Sequence, residues 1–284
     1  MTQRPPYFLG CPQWQDPQWQ RQLPPGTSPL ARYSQVFNTV EGNTTFYATP
    51  SAEQCRQWRA QVPDDFRFLF KFPRAITHDH LLAEVGEQTA GFVELLAPLH
   101  DVMGPFLLQL PAAFGPGHLG RLWGFLDALP APLSCTVEVR HPAFFQKGEE
   151  ERALNRGLRE RKLARVCLDS RALFSATPID DATRDAHRKK PRVPAHLLPS
   201  EAQPVLRYIG HPELEANRPF LEPWVARVAQ WLEEGQQPFV FMHMPDNGHA
   251  VSLAQLWTEL LQSRVAELPP LAVEEADQNQ LGLF

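Results

Sequence analysis

Residues 135–140 read CTVEVR, a run whose alternation decides the fold. In a β-strand successive side chains point to opposite faces. Cys135, Val137 and Val139 therefore oppose Glu138 and Arg140, and the two charges stand about 7 Å apart along one face at the usual rise per residue. Seven further apolar runs surround this one: YFLGCPQW (7–14), TVEGNTTF (39–46), FRFLFKFP (66–73), FLLQLP (106–111), ARVCLD (164–169), VLRYIGH (205–211) and FVFMHMP (239–245). In TVEGNTTF the same alternation sets Glu41, Asn43 and Thr45 against Val40, Gly42 and Phe46. In FRFLFKFP it sets Lys71 against Phe68, Phe70 and Phe72, and continuing the parity adds Gln13, Gln109, Asp169, Arg207 and His243. One polar surface rich in acids and bases is thus expected from all eight strands.

Between the strands lie segments of helical period. The run 51–62 places Cys55, Trp58 and Val62 on one stripe behind Ser51 as N-cap. Residues 79–100 carry Leu81, Leu82, Val85, Phe92, Leu95, Leu96 and Leu99, and 118–129, 149–162, 223–234 and 252–265 read likewise, with a shorter helix near 29–36. Strand alternating with helix implies parallel strands joined by crossover helices. Eight such strands in 284 residues predict an α/β fold, a TIM-like (β/α)8 barrel, with a doubly wound open sheet as the competitor. The expected organisation is one barrel domain over 1–265, a long loop insertion at 171–204, and a C-terminal tail from 266 to 284.

Apolar residues make up 43% of the chain, enough for a substantial core. The 29 prolines fall singly or in pairs at segment ends, as turns require. A net charge of −5 argues against a surface that coats nucleic acid as a whole, although a local basic cleft remains compatible with it. Cys11, Cys55, Cys135 and Cys167 are far apart and form no CxxC, so they read as buried reduced thiols. With no signal-peptide pattern in MTQRPPYFLG and no 18-residue apolar run, a soluble cytoplasmic protein is expected.

In barrels of this class the loops after the strand C-termini form the active face, where most of the polar set falls. Glu41, Glu138 and Asp169 are the candidate catalytic residues, suited to acid–base work, hydrolysis included. Asn43, Lys71, Gln109, Arg140, Arg207 and His243 are the candidate substrate-binding residues, with arginine the better bidentate partner for phosphate or carboxylate. The same side chains would also serve to neutralise one another in the barrel mouth, since buried charges are usually paired. A divalent metal is a further expectation, with Glu41, Glu138, Asp169 and His243 as ligands drawn from separate strands; no HExxH or similar cluster is present. Thr77-His78-Asp79-His80 reads as a helix cap rather than a zinc site. GxSxG, GxGxxG and Walker patterns are absent. The basic run at 184–192 reads as a solvated helix end or loop, with phosphate contact as the alternative, and Trp14, Trp19, Phe144 and Phe145 as cover for the barrel edge, with ring stacking on a planar ligand as theirs.

The last five residues are Gln280-Leu281-Gly282-Leu283-Phe284. They resemble the QL-x-LF peptides by which bacterial DNA-processing proteins dock on the replication sliding clamp, with Gly282 in place of the more usual Ser or Asp. Gln280, Leu281, Leu283 and Phe284 are the partner-binding candidates that this resemblance implies; a tail folded back on its own barrel is the alternative.

Longer motifs run through the whole chain: LGCPQW (9–14), FNTVEGNTTFY (37–47), DFRFLFKFPRAITH (65–78), LLQLPAAFGP (107–116), VEVRHPAFF (137–145) and RYIGH (207–211). In this order they resemble the YecE-like proteins of domain-of-unknown-function family 72. The resemblance implies a TIM-like barrel and a bacterial cytoplasmic protein, and carries no catalytic residues over. Many relatives end the last two strands in HG and NN-type motifs where this chain has RYIGHPE and MHMPDNG.

Three functional expectations follow. The leading one is an enzyme acting on a polar anionic substrate, a phosphorylated sugar or a nucleotide-like molecule, by acid–base or metal-assisted chemistry. The second is a nucleic-acid-associated factor recruited to the sliding clamp by its tail. The third is a non-catalytic barrel that binds a metabolite or a protein.

Overall fold

A computed structural model describes residues 5–131, 133–196 and 203–274. Among the described residues nine short strands lie within the eight expected runs: β1 Phe8–Gly10, β2 Thr39–Gly42, β3 Arg67–Phe70, β4 Phe106–Gln109, β5 Cys135–Glu138, β6 Ala164–Arg165, β7 Cys167–Asp169, β8 Val205–Ile209 and β9 Phe239–His243. The run at 164–169 divides at Val166, whose N–H donates to Val137 O at 2.9 Å. Ten α-helices of the described residues lie in the connections, with short 3-10 turns beside them: α1 Pro29–Val36, α2 Thr44–Tyr47, α3 Ala52–Arg59, α4 Gly86–Leu95, α5 Leu119–Asp127, α6 Glu149–Glu160, α7 Arg171–Ser175, α8 Asp181–Lys189, α9 Arg218–Glu233 and α10 Ala250–Gln262.

Every strand pairing is parallel, as crossover helices require. The ladders join β1-β9-β8-β7, β2-β3 and β4-β5-β6. Further hydrogen bonds link these groups. Bridges Phe68↔Met103 and Lys71↔Leu107 connect β3 to the β4 region. Glu41 N–H donates to Cys11 O at 3.0 Å between β1 and β2. There two side chains stand in for backbone partners: Leu9 N–H donates to Asn38 Oδ1, and Tyr33 Oη accepts from Cys11 N–H and donates to Thr39 O. A Cβ on Gly10 would lie 2.1 Å from Thr39 O, so only glycine permits this approach.

The register sorts the side chains onto two faces. Phe68, Val137, Tyr208 and Met242 join helix residues Leu122, Leu154, Trp224 and Trp257 in the main core. Leu69, Leu107, Val166, Val205, Phe239 and Phe241 form a second, smaller core on the opposite face. Burying each such side chain stabilises the fold by about 1.5–3 kcal/mol.

Two expectations change. The stripe at 79–100 is α-helical only over α4 and continues in a 3-10 helix at Ala97–Val102; before α4, Ala75–Asp79 forms a single π-helical turn and Leu81, Leu82 and Glu84 adopt positive φ. Leu82 and Val85 are buried all the same, so a loop rather than a helix carries that apolar pattern. The connection after β7 is not structureless: it contains α7 and α8, and Ala186 of α8 packs with Leu168 and Ile209. Among the described residues no helix is long and apolar enough to cross a membrane.

Candidate functional site

The smaller core ends in charge. One step beyond it toward the strand C-termini, Glu41, Lys71, Gln109, Glu138, Arg207 and His243 are buried on the same face. Registers Glu41↔Leu69 and Arg207↔Phe241 put Glu41 and Arg207 level with residues of the smaller core, and Gln109↔Glu138 sets two members of the cluster side by side. Arg207 holds the group together. Its Nε and Nη2 donate to the two oxygens of Glu41 at 2.7 and 2.8 Å, and its Nη1 donates to Glu138 Oε2. The other Glu138 oxygen accepts from Arg140 Nε at 2.9 Å. Lys71 Nζ lies 3.1 Å from Glu41 Oε1 and donates to Gln109 Oε1 at 3.0 Å. His243 Nε2 is 3.0 Å from Glu41 Oε2.

These neighbours set the protonation states. Burial is the largest single influence on both carboxyls and opposes their ionisation, but it is outweighed by Arg207, Lys71 and His243 acting together at Glu41 and by Arg207, Arg140 and Lys71 acting together at Glu138. Glu41 is held well below the usual carboxylate range and Glu138 at about 2. Burial lowers His243 to about 3 against the pull of Glu41, so the ring is neutral near pH 7 and its Nε2–H donates to Glu41. Burial also lowers Lys71, to about 8, with Glu41 resisting.

Two candidates stand apart from the cluster. Asp169 pairs in register with Tyr208, not with Arg207, which faces Leu168. It therefore points to the helix side, where it accepts from Trp224 Nε1 at 2.7 Å and from Arg171 Nη2 at 2.7 Å. The strand carrying Glu41 ends at Gly42, and the chain turns into α2, so Asn43 and Thr45 leave the strand alternation. Asn43 Nδ2 donates to Pro12 O at 2.7 Å and sits at the rim. With Asp169 on the other face, the four metal-ligand candidates do not converge, and among the described residues no group of three or more His, Cys, Asp and Glu is arranged to hold a metal ion. The candidates Gln280, Leu281, Leu283 and Phe284 lie outside the described residues.

Lys190 is the residue that sequence reasoning passed over. It caps the C-terminus of α8, and its charge acts on Arg207, Lys71, Glu41, Arg140 and His243. The basic run is therefore not uniform. Arg188 and Lys189 pair with Asp185 at the surface, whereas Lys190 faces the cluster. Burial lowers its ammonium to about 7, with Arg207 and Lys71 pushing the same way against Glu41. The one available signal was its place four residues after buried Ala186. Arg140 keeps 17% of its side chain accessible at the opening. His78 belongs to the π-helical turn, close enough for Arg140 to depress it; burial and Arg140 hold it at about 4. Phe46 lies against the His78 ring, 6.0 Å from Lys71 Nζ, and Tyr47 beside it is 82% exposed. Trp14, Trp19, Phe144 and Phe145 instead pack elsewhere: Trp14 against Trp58, Trp19 on the backbone of Asn247 and Gly248, Phe144 in the main core, and Phe145 under Arg165.

Fold and site define a class: an all-parallel α/β protein with a buried ion cluster at the carboxyl ends of its strands. The chain belongs to the family described as "Protein of unknown function DUF72", whose model matches residues 8–279. It is 44% identical over 278 residues to the UPF0759 protein YecE of Escherichia coli K12, covering 98% of this chain and 99% of the relative. The YecE protein of Escherichia coli O157:H7 is 43% identical over the same share. Among solved structures, a DUF72 family protein from Enterococcus faecalis V583 superposes with a TM-score of 0.67 at 18% identity, covering 92% of this chain and 97% of that one. Another from Thermotoga maritima MSB8 gives a TM-score of 0.65 at 20% identity, covering 90% and 99%. At these identities the two structures speak to the fold alone.

Proposed function

We propose that the strands close into a TIM-like (β/α)8 barrel whose mouth binds and acts on a polar anionic small molecule, a phosphorylated sugar or a nucleotide-like compound, in the bacterial cytoplasm. Pairing of β9 with β1, together with the bonds between β1 and β2, β3 and β4, and across Val166, supports the closure. In such barrels the reacting groups stand at the C-terminal strand ends, which is where the cluster sits. Four free, buried cysteines suit a reducing compartment.

The observation that carries the reading is the charge balance. Among the described residues the carboxylates paired with Lys71, Arg140 and Arg207 are Glu41 and Glu138, so there cations exceed carboxylates before Lys190 is counted. Buried charge is stable when compensated, and a bound anion supplies the missing negative charge. Arg140 and Lys190 lie on the open side and would meet it first. Glu41 and Glu138, ionised and held by Arg207, are poor proton acceptors and serve to fix that guanidinium. Groups that titrate near neutrality suit general acid–base work best, and here they are Lys71 and Lys190.

The test is thermal unfolding with inorganic phosphate and with sugar phosphates. A ligand at one hundred times its dissociation constant stabilises the native state by about 2.7 kcal/mol. Stabilisation of the native protein that disappears in Arg140→Ala is expected. Equal stabilisation of both proteins, or none in either, would overturn the reading.

A further inference from the structure

Resting on that anion site, we propose that Lys190 is a nucleophilic amine that forms an imine with a carbonyl compound carrying an anionic group, a phosphorylated aldehyde or ketone or a 2-oxo acid. The first observation is placement. Packing of Ala186 on Leu168 and Ile209 brings the end of α8 over the strand ends of β7 and β8, and Ser170 Oγ donates to Pro191 O at 2.8 Å, pinning the residue after Lys190. The second is freedom. Among the described residues Lys190 Nζ has no hydrogen-bond or ion-pair partner, whereas Lys71 Nζ is committed to Glu41 and Gln109. The third is the surrounding field. The groups facing Lys190 are Glu41 from β2, Lys71 after β3, Arg140 after β5, Arg207 from β8 and neutral His243 from β9. Crowding by like charge and protein atoms disfavours the ammonium, which is how amine nucleophiles are activated.

In the step itself the neutral amine adds to the carbonyl carbon, forming the C–N bond. One proton moves from nitrogen to oxygen to give the neutral carbinolamine. A proton lent by the Lys71 ammonium lets the hydroxyl leave as water and forms the iminium, and return of the remaining N–H proton to Lys71 leaves neutral C=N. Hydrolysis reverses the sequence with no net change in oxidation state. Arg140, partly accessible at the opening, is placed to hold the anionic group, and Lys71, lowered to about 8, to exchange the protons. An iminium on Lys190 would also restore a positive charge there, next to the bound anion.

The chain has five lysines, Lys71, Lys147, Lys162, Lys189 and Lys190, which makes the test clean. The native protein is exposed to pyridoxal 5′-phosphate, an anionic aldehyde, reduced with borohydride, and mapped by peptide mass spectrometry. At pH 7 an ordinary lysine is overwhelmingly protonated, so labelling of Lys190 should exceed that of Lys189 by more than about tenfold. The rate should rise with pH to a plateau with its midpoint near 7, the value to which Lys190 is lowered, and inorganic phosphate should slow it. Lys190→Arg has no amine able to form an imine, so the adduct at position 190 should vanish while labelling of Lys189 stays as in the parent protein. Equal labelling of Lys189, or reaction chiefly at Lys71, would overturn the proposal. Phosphate stabilisation without any adduct at Lys190 would remove the imine and leave the anion site standing. Neither stabilisation nor adduct would remove both.

Discussion

Arg165 and Arg207 are both buried strand arginines, yet their surroundings differ in kind. Arg165 points to the helix side. Its Nη1 reaches Glu151 Oε1 at 3.3 Å and Asn155 Oδ1 at 3.0 Å, its Nη2 donates to Phe144 O at 2.7 Å, and its guanidinium lies 4.7 Å over the Phe145 ring. One cation meets one carboxylate, and every contact ties β6 to α6 and the turn before it. Arg207 points the other way, bridges two carboxylates, and belongs to a group with cations to spare. Burial and pairing are therefore common to both arginines; what separates them is the uncompensated charge around Arg207, to which the proposed anion would answer.

The sharpest way to break this contrast is to delete each guanidinium. Arg207→Met takes the shared partner from two buried carboxylates at once, leaving Glu41 to Lys71 and His243 and Glu138 to Arg140, and removing one partner of a buried ion pair costs about 3–5 kcal/mol. Arg165→Met leaves Glu151 with His196 Nδ1 at 2.7 Å and the Lys147 N–H at 2.7 Å, so a loss of about 1–3 kcal/mol is expected. Urea denaturation of the two variants measures both. Equal losses would mean that packing, not stranded charge, separates the two arginines.

A pH titration of stability sharpens the same contrast. His243 is held at about 3 in the fold against 6.5 when unfolded, so between those values the unfolded chain binds more protons. Stability must then fall as pH drops from 6.5 toward 3, by about 1.4 kcal/mol per pH unit for each proton of difference. His78, held at about 4, adds to the slope with the same sign, and Glu138, at about 2 instead of 4.5, joins below 4.5. His243→Asn should remove one proton's worth of slope between pH 6.5 and 4.5. An unchanged slope in that variant would mean that His243 is already charged in the fold and adds a further positive charge to the cluster.

How far the sequence announced this site depends on how cleanly each strand alternates. CTVEVR is apolar on one side and charged at its end on the other, so Glu138 and Arg140 were legible at once. FRFLFKFP gave Lys71 for the same reason, with Phe68 and Phe70 in the helix-side core. ARVCLD has apolar residues at both parities, and a shift of one residue exchanges the faces of a whole strand. Arg165, Cys167 and Asp169 share the helix side, while Val166 and Leu168 face inward, so reading Asp169 with Arg207 was a choice the strand itself did not constrain. Asn43 and Thr45 slipped for a different reason, since the strand stops at Gly42 before the alternation reaches them. Lys190 was hidden among neighbours of equal charge, and only the packing of α8 tells it from Lys189.

The smallest expected effect tests that parity directly. Asp169→Asn keeps an oxygen for Trp224 Nε1 and gives up the ion pair with Arg171, whose side chain is 46% exposed. Exposed charge is well solvated, so the loss should be about 1–2 kcal/mol, mostly from weaker hydrogen bonds to a buried acceptor. Because Asp169 faces the helices, phosphate should stabilise this variant as much as the parent protein. An Asp169→Asn protein that folds normally but no longer responds to phosphate would place the carboxylate in the site after all. Any link between them would then run through Arg171 or through the backbone from Asp169 to Ser170 and Pro191, the route by which β7 also holds Lys190.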